Sequence, residues 1–367
     1  MGKAVERCRS DLIAAMKPVT HRRNMATLRD VARRAGVSVA TASRVATGAL
    51  PVRPETRERV ERAMRELLYV PPARRAETGL IGVLVPELGN PIFPALAQAI
   101  ETRAAPDGLA SILCNTGEAA FREVDYVHML LERGVQGMIF IACEMTNLRG
   151  DHGHYAKLVE EGARLVFVNG ALHTLDVPSV GVDERAAGEI ATQHLIELGH
   201  ERIGFVGGLE HYLPTQLKGA GRETALASAG LDPDGVVAYE AFSVDGGRRA
   251  IAKLLSRPEP PTGVICSSDL MAIGALHEAR RRGLRVPEDL SIVGFDGIEA
   301  TCWTEPMLTT VEQPIAEIAD TAVETLQALI ADSERPVPNS YFRPVVRARG
   351  SSAPPARARP PRAAATS

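Results

Sequence analysis

The 367-residue chain is long enough for two or three domains, and its 45% apolar and 24% charged residues are typical of a globular protein. The net charge of −3 is unevenly spread. Residues 1–79 hold 17 basic against 8 acidic residues, 80–349 hold 22 against 37, and 350–367 add three arginines, so one basic end is expected to meet a polyanion. The apolar runs are too short for a membrane span, no signal peptide is expected, and five scattered cysteines without CxxC spacing favour a reducing, cytoplasmic location.

Three regions precede the body of the chain. Residues 1–24 lack clear periodicity and predict a flexible extension, with Met25 as an alternative start. Residues 25–69 contain three short helical patterns, which predict a small all-α head. The Pro- and Arg-rich stretch VPPARRAETG, residues 70–79, predicts a short linker.

The segment TLRDVARRAGVSVATASRVATG, residues 27–48, predicts a helix-turn-helix. The spacing i, i+3, i+4, i+7 of a first helix is occupied by apolar residues: Leu28, Val31, Ala32 and Ala35. Gly36 permits the turn, and Ser38 is a good N-cap for a second helix, from which Ala42 and Val45 point back to the core. A third helix is predicted from Glu55 to Leu68.

In this motif the second helix enters the major groove of DNA. Arg44 can pair with guanine, Val39 and Ala40 suit a thymine methyl, and Thr41 and Ser43 suit phosphate contacts. The full predicted DNA-binding set is Thr27, Ser38, Val39, Ala40, Thr41, Ser43, Arg44, Arg74 and Arg75. The alternative is an unrelated bundle of three packing helices, and the basic charge of the head favours DNA over it.

From Leu80 onward, short apolar runs alternate with amphipathic stretches, a pattern that predicts βα units and parallel sheets in two similar lobes. The predicted strands are residues 80–86, 110–115, 137–143, 164–170, 202–208, 263–269 and 290–296. The last residues, 350–367, are rich in Pro, Ala and Arg and predict a disordered tail.

Several segments resemble the LacI/GalR family of repressors, in the same order over nearly all of residues 25–349. They include ATLRDVARRAGVSVATASRV, PETRERVERAMRELLYVP, IGVLVP, HLIELGHERIGFVGG, SSDLMAIGAL, VPEDLSIVGFD and MLTTVEQP. The resemblance implies a homodimer that reads a near-palindromic double-stranded DNA operator. The implied fold class is an N-terminal all-α helix-turn-helix head plus an α/β two-lobed periplasmic-binding-protein-like domain with two parallel-sheet subdomains. The lobes are expected at about 80–180 with 312–340, and 181–311 with 341–349.

Two positions depart from the family pattern. Arg53 stands where members usually have a helix-capping Ser, which predicts a weaker start of the third helix. The linker is shorter than usual and has no Leu before Leu80, whereas members insert a Leu into the minor groove. We therefore expect no hinge helix of the usual kind, and only phosphate contacts from Arg74 and Arg75.

Polar residues after the strands of the body predict a binding site for a small polar metabolite, sugar-like in its hydroxyls. The predicted effector-binding residues are Asn90, Phe93, Asn169, Lys218, Asp269, Asp296 and Gln313. Asn and Asp at strand ends also cap helices, and for Asp269 the two roles stay open. Lys218 stands where the family often has Arg, and it is compatible with a sugar, a sugar acid or a phosphorylated sugar, or with a side chain in solvent.

Two other classes of protein fit the sequence less well. An enzyme is not expected, because GxGxxG, P-loop and GxSxG motifs are missing, and no catalytic residue, cofactor or metal is predicted. His152 and His154 form an HxH in what reads as a loop, without further metal ligands in view. A cytoplasmic or exported sugar-binding protein without a regulatory role would share the body, but it leaves the basic head unexplained.

Overall fold

The computed structural model describes residues 26–47, 52–67, 69, 79–117, 120–233, 236–333 and 335–355. The chain splits into two compact units, Met1–Thr78 and Gly79–Ser367. The predicted extension, residues 1–24, and the linker arginines Arg74 and Arg75 lie outside the described residues. Among the residues that are described, no helix is both long and apolar enough to cross a membrane.

The head consists of three helices: α1 (Leu28–Ala35), α2 (Val39–Thr47) and α3 (Pro54–Glu66). Leu28, the fourth apolar residue predicted on α1, is only partly buried against the core of the head. The core itself contains the other residues predicted on α1 and α2, joined by two from α3: Val31, Ala32, Ala35, Ala42, Val45, Val60 and Ala63. Gly36 ends α1 with φ of 64°, the left-handed conformation that the tight turn requires. Arg59 fastens this turn to α3, because its guanidinium donates to Ala35 O (2.5 Å) and Gly36 O (3.0 Å).

The body alternates strands with helices, as near-continuous apolar strands require. Its strands are β1 (Gly79–Val85), β2 (Leu109–Asn115), β3 (Gly137–Ile141), β4 (Leu165–Val168), β5 (Ser179–Val182), β6 (Ile203–Gly207), β7 (Val237–Tyr239), β8 (Gly263–Cys266), β9 (Ser291–Asp296), β10 (Thr309–Glu312), β11 (Ser340–Phe342) and β12 (Val345–Arg347). Its helices are α4 (Ile92–Ala104), α5 (Ala120–Glu132), α6 (Gly153–Glu160), α7 (Glu184–Glu197), α8 (Leu213–Ser228), α9 (Val244–Leu255), α10 (Asp269–Arg281) and α11 (Ile315–Ala331).

The strands form two six-stranded sheets, one in each lobe. The first has the order β11-β5-β4-β3-β1-β2 and is parallel throughout, and the second has the order β12-β10-β9-β8-β6-β7. The second sheet is parallel except at its edge, where β12 pairs antiparallel with β10. The predicted two-lobed parallel architecture is thereby confirmed, with this one antiparallel edge as a correction.

The chain passes between the lobes three times, after Val182, after Glu312 and after Phe342. The first sheet contains β5 and β11, which straddle the lobe limits expected at 180 and 340. Helix α11 returns to the first lobe, where Ile318, Ala322 and Leu326 are part of its core. The segments that follow Val182, Glu312 and Phe342 join the two lobes, so the side chains on these segments lie between the lobes.

The start of the expected disordered tail is packed, which corrects the prediction for residues 350–355. Ser351 is fully buried, and its hydroxyl accepts from Thr309 N and donates to Ile292 O. Ala353 O accepts from Ser291 Oγ (3.0 Å) and faces His200 Nε2 (3.0 Å). The small Ser-Ser-Ala side chains allow this close approach, which Pro/Ala/Arg composition alone does not reveal.

Candidate functional sites

The outer face of α2 carries the side chains predicted to read base edges. Val39, with 44% of its surface exposed, lies with Ala40 and Arg44 on the side of α2 that faces away from the core. Thr41 and Ser43 are half-buried beside them. A large exposed apolar side chain beside an exposed arginine is the combination that major-groove contacts require. The assignment of these residues to DNA stays a prediction.

Two of the predicted DNA-binding hydroxyls also cap helices. Ser38 Oγ accepts from Thr41 N (3.1 Å), which confirms Ser38 as the N-cap of α2. Thr27 forms a reciprocal capping box with Asp30 at the start of α1, and these hydrogen bonds lower the pKa of the Asp30 carboxyl. Arg53 precedes α3 without a side-chain capping bond, with Pro54 in the first turn, as the missing Ser predicts.

In the body, three of the predicted effector residues form one hydrogen-bonded chain between the lobes. Asn169 follows β4 of the first sheet, and its amide nitrogen donates to Gln313 Oε1 (2.8 Å). Gln313 Nε2 in turn donates to Asp296 Oδ1 (2.8 Å), at the end of β9 in the second sheet. Asn169 and Asp296 have φ of 53° and 127°, so both hold backbone conformations that side chains other than glycine rarely adopt.

Burial has the largest effect on the carboxyl group of the hydrogen-bonded chain. Burial raises the pKa of Asp296 well above the usual range, and the nearby carboxyl of Asp269 raises this pKa further. The ammonium group of Lys218 and the hydrogen bond from Gln313 act in the opposite direction. The Asp296 carboxyl is therefore a buried polar group with a shifted pKa, and such a group can hydrogen-bond to hydroxyls of a ligand.

The other four predicted effector residues, Asp269, Asn90, Phe93 and Lys218, have contacts of their own within the protein, and those of Asp269 are the most extensive. Asp269 is fully buried and accepts three hydrogen bonds, from Gly297 N (2.7 Å), Ile298 N (2.9 Å) and Thr310 Oγ1 (2.6 Å). It ties the loop after β9 to β10, while Ser268 caps α10, so the helix-capping role left open for Asp269 is wrong and its contact with a ligand stays a prediction. The pKa of Asp269 rises to about 6 because of burial.

Asn90 and Phe93 lie at the start of α4, at the carboxyl end of β1. Asn90 is buried and its side-chain oxygen accepts from Ile92 N (3.4 Å), a local turn contact. Phe93 is half-buried against the apolar core. The described contacts join neither residue to the chain of Asn169, Gln313 and Asp296.

Lys218 lies inside the protein, with 4% of its surface exposed, so the solvent-facing alternative is wrong. Its ammonium group forms an ion pair with Glu184, the first residue of α7, and lies 3.7 Å from the ring centroid of Phe295. Glu184, which sequence reasoning missed, lines a cavity of about 250 Å³ together with Asn169. Residues of both lobes line this cavity, including Val182, Leu213, Pro214 and Tyr341.

The two histidines of the HxH motif contact different residues. His154 Nε2 lies 2.9 Å from Glu123 Oε1, whereas His152 Nε2 lies 3.0 Å from the backbone oxygen of Glu144. The motif was expected in a loop, but His154 is in α6, which begins at Gly153. Within the described part of the chain, no group of three or more His, Cys, Asp or Glu residues is arranged to hold a metal ion.

Comparison with known proteins yields two family models and close relatives over most of the chain. The model "Bacterial regulatory proteins, lacI family" matches residues 27–72, and the model of a periplasmic binding protein-like domain matches residues 192–352. An uncharacterized HTH-type transcriptional regulator from the aml 5' region of Streptomyces limosus is 42% identical over 332 residues, which cover 89% of this chain and 94% of that protein.

Two solved structures are similar over the head and the body together. The complex of the transcriptional regulator CelR with cellobiose is 29% identical with a TM-score of 0.69, covering 89% of this chain and 100% of the other. The lac repressor dimer bound to operator and the anti-inducer ONPF is 27% identical with a TM-score of 0.74, covering 89% and 99%.

Proposed function

Because the chain belongs to the LacI family of bacterial regulatory proteins, we propose that it binds a near-palindromic operator as a homodimer under the control of a small, hydroxyl-rich effector. It is a DNA-binding transcriptional regulator and not an enzyme, as its relatives are. Similarity to the CelR–cellobiose complex and to the operator-bound lac repressor dimer supports a sugar-like effector and a dimer. A protein that binds chromosomal DNA acts in the cytoplasm, which is the location we propose.

The observation that carries effector control is the hydrogen-bonded chain of Asn169, Gln313 and Asp296. It starts on the first sheet, passes through a residue on one of the three crossings and ends on the second sheet. A ligand that hydrogen-bonds Asn169 and Asp296 replaces contacts that now hold the two lobes together. Because a ligand shifts a conformational equilibrium only by its differential affinity for the two states, contacts to both lobes are what such a switch requires.

In the head, Arg44, Val39 and Ala40 are the proposed base-reading residues, and Thr27, Ser38, Thr41 and Ser43 the proposed backbone contacts. The capping roles of Thr27 and Ser38 are compatible with this, because a helix N-terminus presents backbone N–H groups to phosphate. The linker arginines, Arg74 and Arg75, are proposed to contact phosphate only.

The test uses the full-length protein. Selection from a random DNA library should yield a near-palindromic operator, and fluorescence anisotropy should show sequence-specific binding that weakens steeply with salt. Titration with ribose and cellobiose, among other sugars, should then shift operator affinity. Equal affinity for the selected and for scrambled DNA would contradict regulation at an operator, and sugar binding that leaves operator affinity unchanged would contradict effector control.

A further inference from the structure

The buried ion pair of Lys218 and Glu184 borders the cavity proposed to hold the effector. Glu184 lines the cavity and is 8% exposed, whereas Lys218, on α8, is buried and is not part of the lining. Burial raises the pKa of the Glu184 carboxyl, while the ammonium group of Lys218 lowers it. The one buried ammonium group of this region in the described structure is therefore already paired with a carboxylate of the same chain.

Two glycines fix the position of this pair. A Cβ atom on Gly188 would lie 2.0 Å from Lys218 O, and a Cβ atom on Gly221 would lie 2.0 Å from Arg185 O. Helices α7 and α8 consequently touch backbone to backbone, which holds Glu184 and Lys218 at one separation. The ammonium group of Lys218 contacts the Glu184 carboxylate and the face of the Phe295 ring, so it is not free to pair with an anionic ligand while Glu184 is its partner.

The charges around the cavity favour an uncharged ligand. Glu184 is the buried carboxyl of the lining, and Asp296 and Asp269 are buried carboxyls outside the lining; Glu184 and Asp269 both raise the pKa of Asp296, whereas Lys218 lowers it. At the lining, Asp183 caps α7 and Arg185 donates to Thr224 Oγ1, which adds one charge of each sign, and His173 is a further lining residue. An anionic ligand in the cavity would meet the Glu184 carboxylate directly, and like charges repel strongly where burial reduces screening.

We propose that Glu184 makes the effector site select uncharged, hydroxyl-bearing ligands and exclude sugar acids and sugar phosphates, because it neutralises Lys218. The inference rests on the proposed effector cavity and narrows the class of its ligand. A carboxylate only accepts hydrogen bonds, so Glu184 pairs with hydroxyl donors and repels oxyanions. The site is then selective for two reasons: Glu184 repels oxyanions, and it accepts hydrogen bonds from hydroxyl groups.

The test measures the binding of inorganic phosphate, a small oxyanion probe, by calorimetry and thermal shift on the full-length parent and four full-length variants at constant ionic strength. In Glu184→Gln the ammonium group of Lys218 loses its carboxylate partner. We expect this variant to bind phosphate at least about tenfold more tightly than Glu189→Gln, because a tenfold gain in affinity needs only a small change in binding free energy. Glu189→Gln makes the same substitution on the exposed face of α7 and accounts for phosphate bound elsewhere, including the basic head. Equal affinity of the two variants would overturn the proposal.

The double variant Glu184→Gln/Lys218→Met should lose the gain, which assigns it to Lys218. The parent protein supplies a measurement that does not depend on folding of a variant. Saturable stabilisation of the parent by phosphate that Lys218→Met abolishes would overturn the proposal, and its absence is the expected result. Operator binding by the same samples is scored separately, so that failure of the proposed regulatory function is distinguished from failure of this charge selection.

Discussion

Replacing Gly221 by Ala should destabilise the body, although alanine is the better helix former. The new Cβ would lie 2.0 Å from Arg185 O and 2.8 Å from Glu189 N, and real Cβ atoms essentially never come within 3.0 Å of another heavy atom. Helices α7 and α8 must therefore separate locally by at least about 1 Å. Overpacking typically costs about 1–3 kcal/mol, and the upper end applies because neither backbone atom can rotate away. Alanine recovers about 1 kcal/mol of helix propensity, which leaves a net loss of about 2 kcal/mol.

Gly219 provides the matched control on the same helix. A Cβ there would lie 3.6 Å from the ring of Phe205, an ordinary van der Waals contact. Gly219→Ala should therefore raise the free energy of unfolding by about 0.5–1 kcal/mol through helix propensity alone. Urea unfolding followed by circular dichroism measures both variants against the parent. A midpoint for Gly221→Ala at or above that of the parent would refute the backbone contact as the element that sets the helix separation.

Three further perturbations test the head, the site and the packed C-terminal segment. Arg44→Ala should lose about 1–3 kcal/mol of discrimination at one operator base pair, measured against single-base operator variants; undiminished discrimination would contradict the reading role of Arg44. Asp296→Asn keeps the acceptor for Gln313 Nε2 but removes the carboxylate, so the effector-dependent change in operator affinity should be lost while operator binding stays intact; simultaneous loss of both would indicate a structural role. Burial lowers the pKa of His200, whose neutral ring contacts Thr262, Ser291 and Ala353. A depressed folded-state pKa means that the unfolded chain binds the proton more readily below about pH 6.5, so the stability from His200 is complete above that pH and is lost as the pH falls. The destabilisation caused by His200→Gln should accordingly shrink from pH 7.5 to pH 5.5 in urea unfolding, and a constant difference would show that the ring does not titrate with unfolding.

The sequence predicts those parts of the fold whose signal is local. The seven strand positions assigned from apolar runs are all strands, because a strand buried on both faces is apolar along its length. Strands β5, β10, β11 and β12 were missed because polar residues or glycine interrupt their apolar pattern, and β7 because it has only three residues; β4 and β8, with four residues each, were predicted from unbroken apolar runs. The same limit explains Ser351 and Ser352, which are polar and small and yet pack against Thr309 and His194.

The predicted binding residues divide in the same way. Asn169 follows β4, Asp296 ends β9 and Gln313 follows β10, so strand-end position predicts each of them at the carboxyl end of its sheet. Asn169 and Asp296 belong to different sheets, and they come together only because Gln313 joins the two lobes. Asp269 follows the same rule, but its three hydrogen bonds come from residues at 297, 298 and 310, which no spacing in its own segment announces. Strand-end position thus predicts the region in which a polar side chain lies, but its hydrogen-bond partners depend on the tertiary structure and cannot be predicted from its own segment.

Lys218 shows how a partner decides chemistry. From the sequence its positive charge is equally compatible with a neutral sugar, a sugar acid and a phosphorylated sugar, because each offers an oxygen acceptor. The partner that separates these ligands is Glu184, which precedes it by a whole βα unit and adjoins it only because Gly188 and Gly221 let α7 and α8 meet backbone to backbone. A buried cation that already has its carboxylate offers little to an anionic ligand, whereas breaking such a pair leaves an uncompensated charge at a cost of about 3–5 kcal/mol. We therefore propose that the contact between these two helices, rather than the identity of the lysine, sets the charge of the ligand.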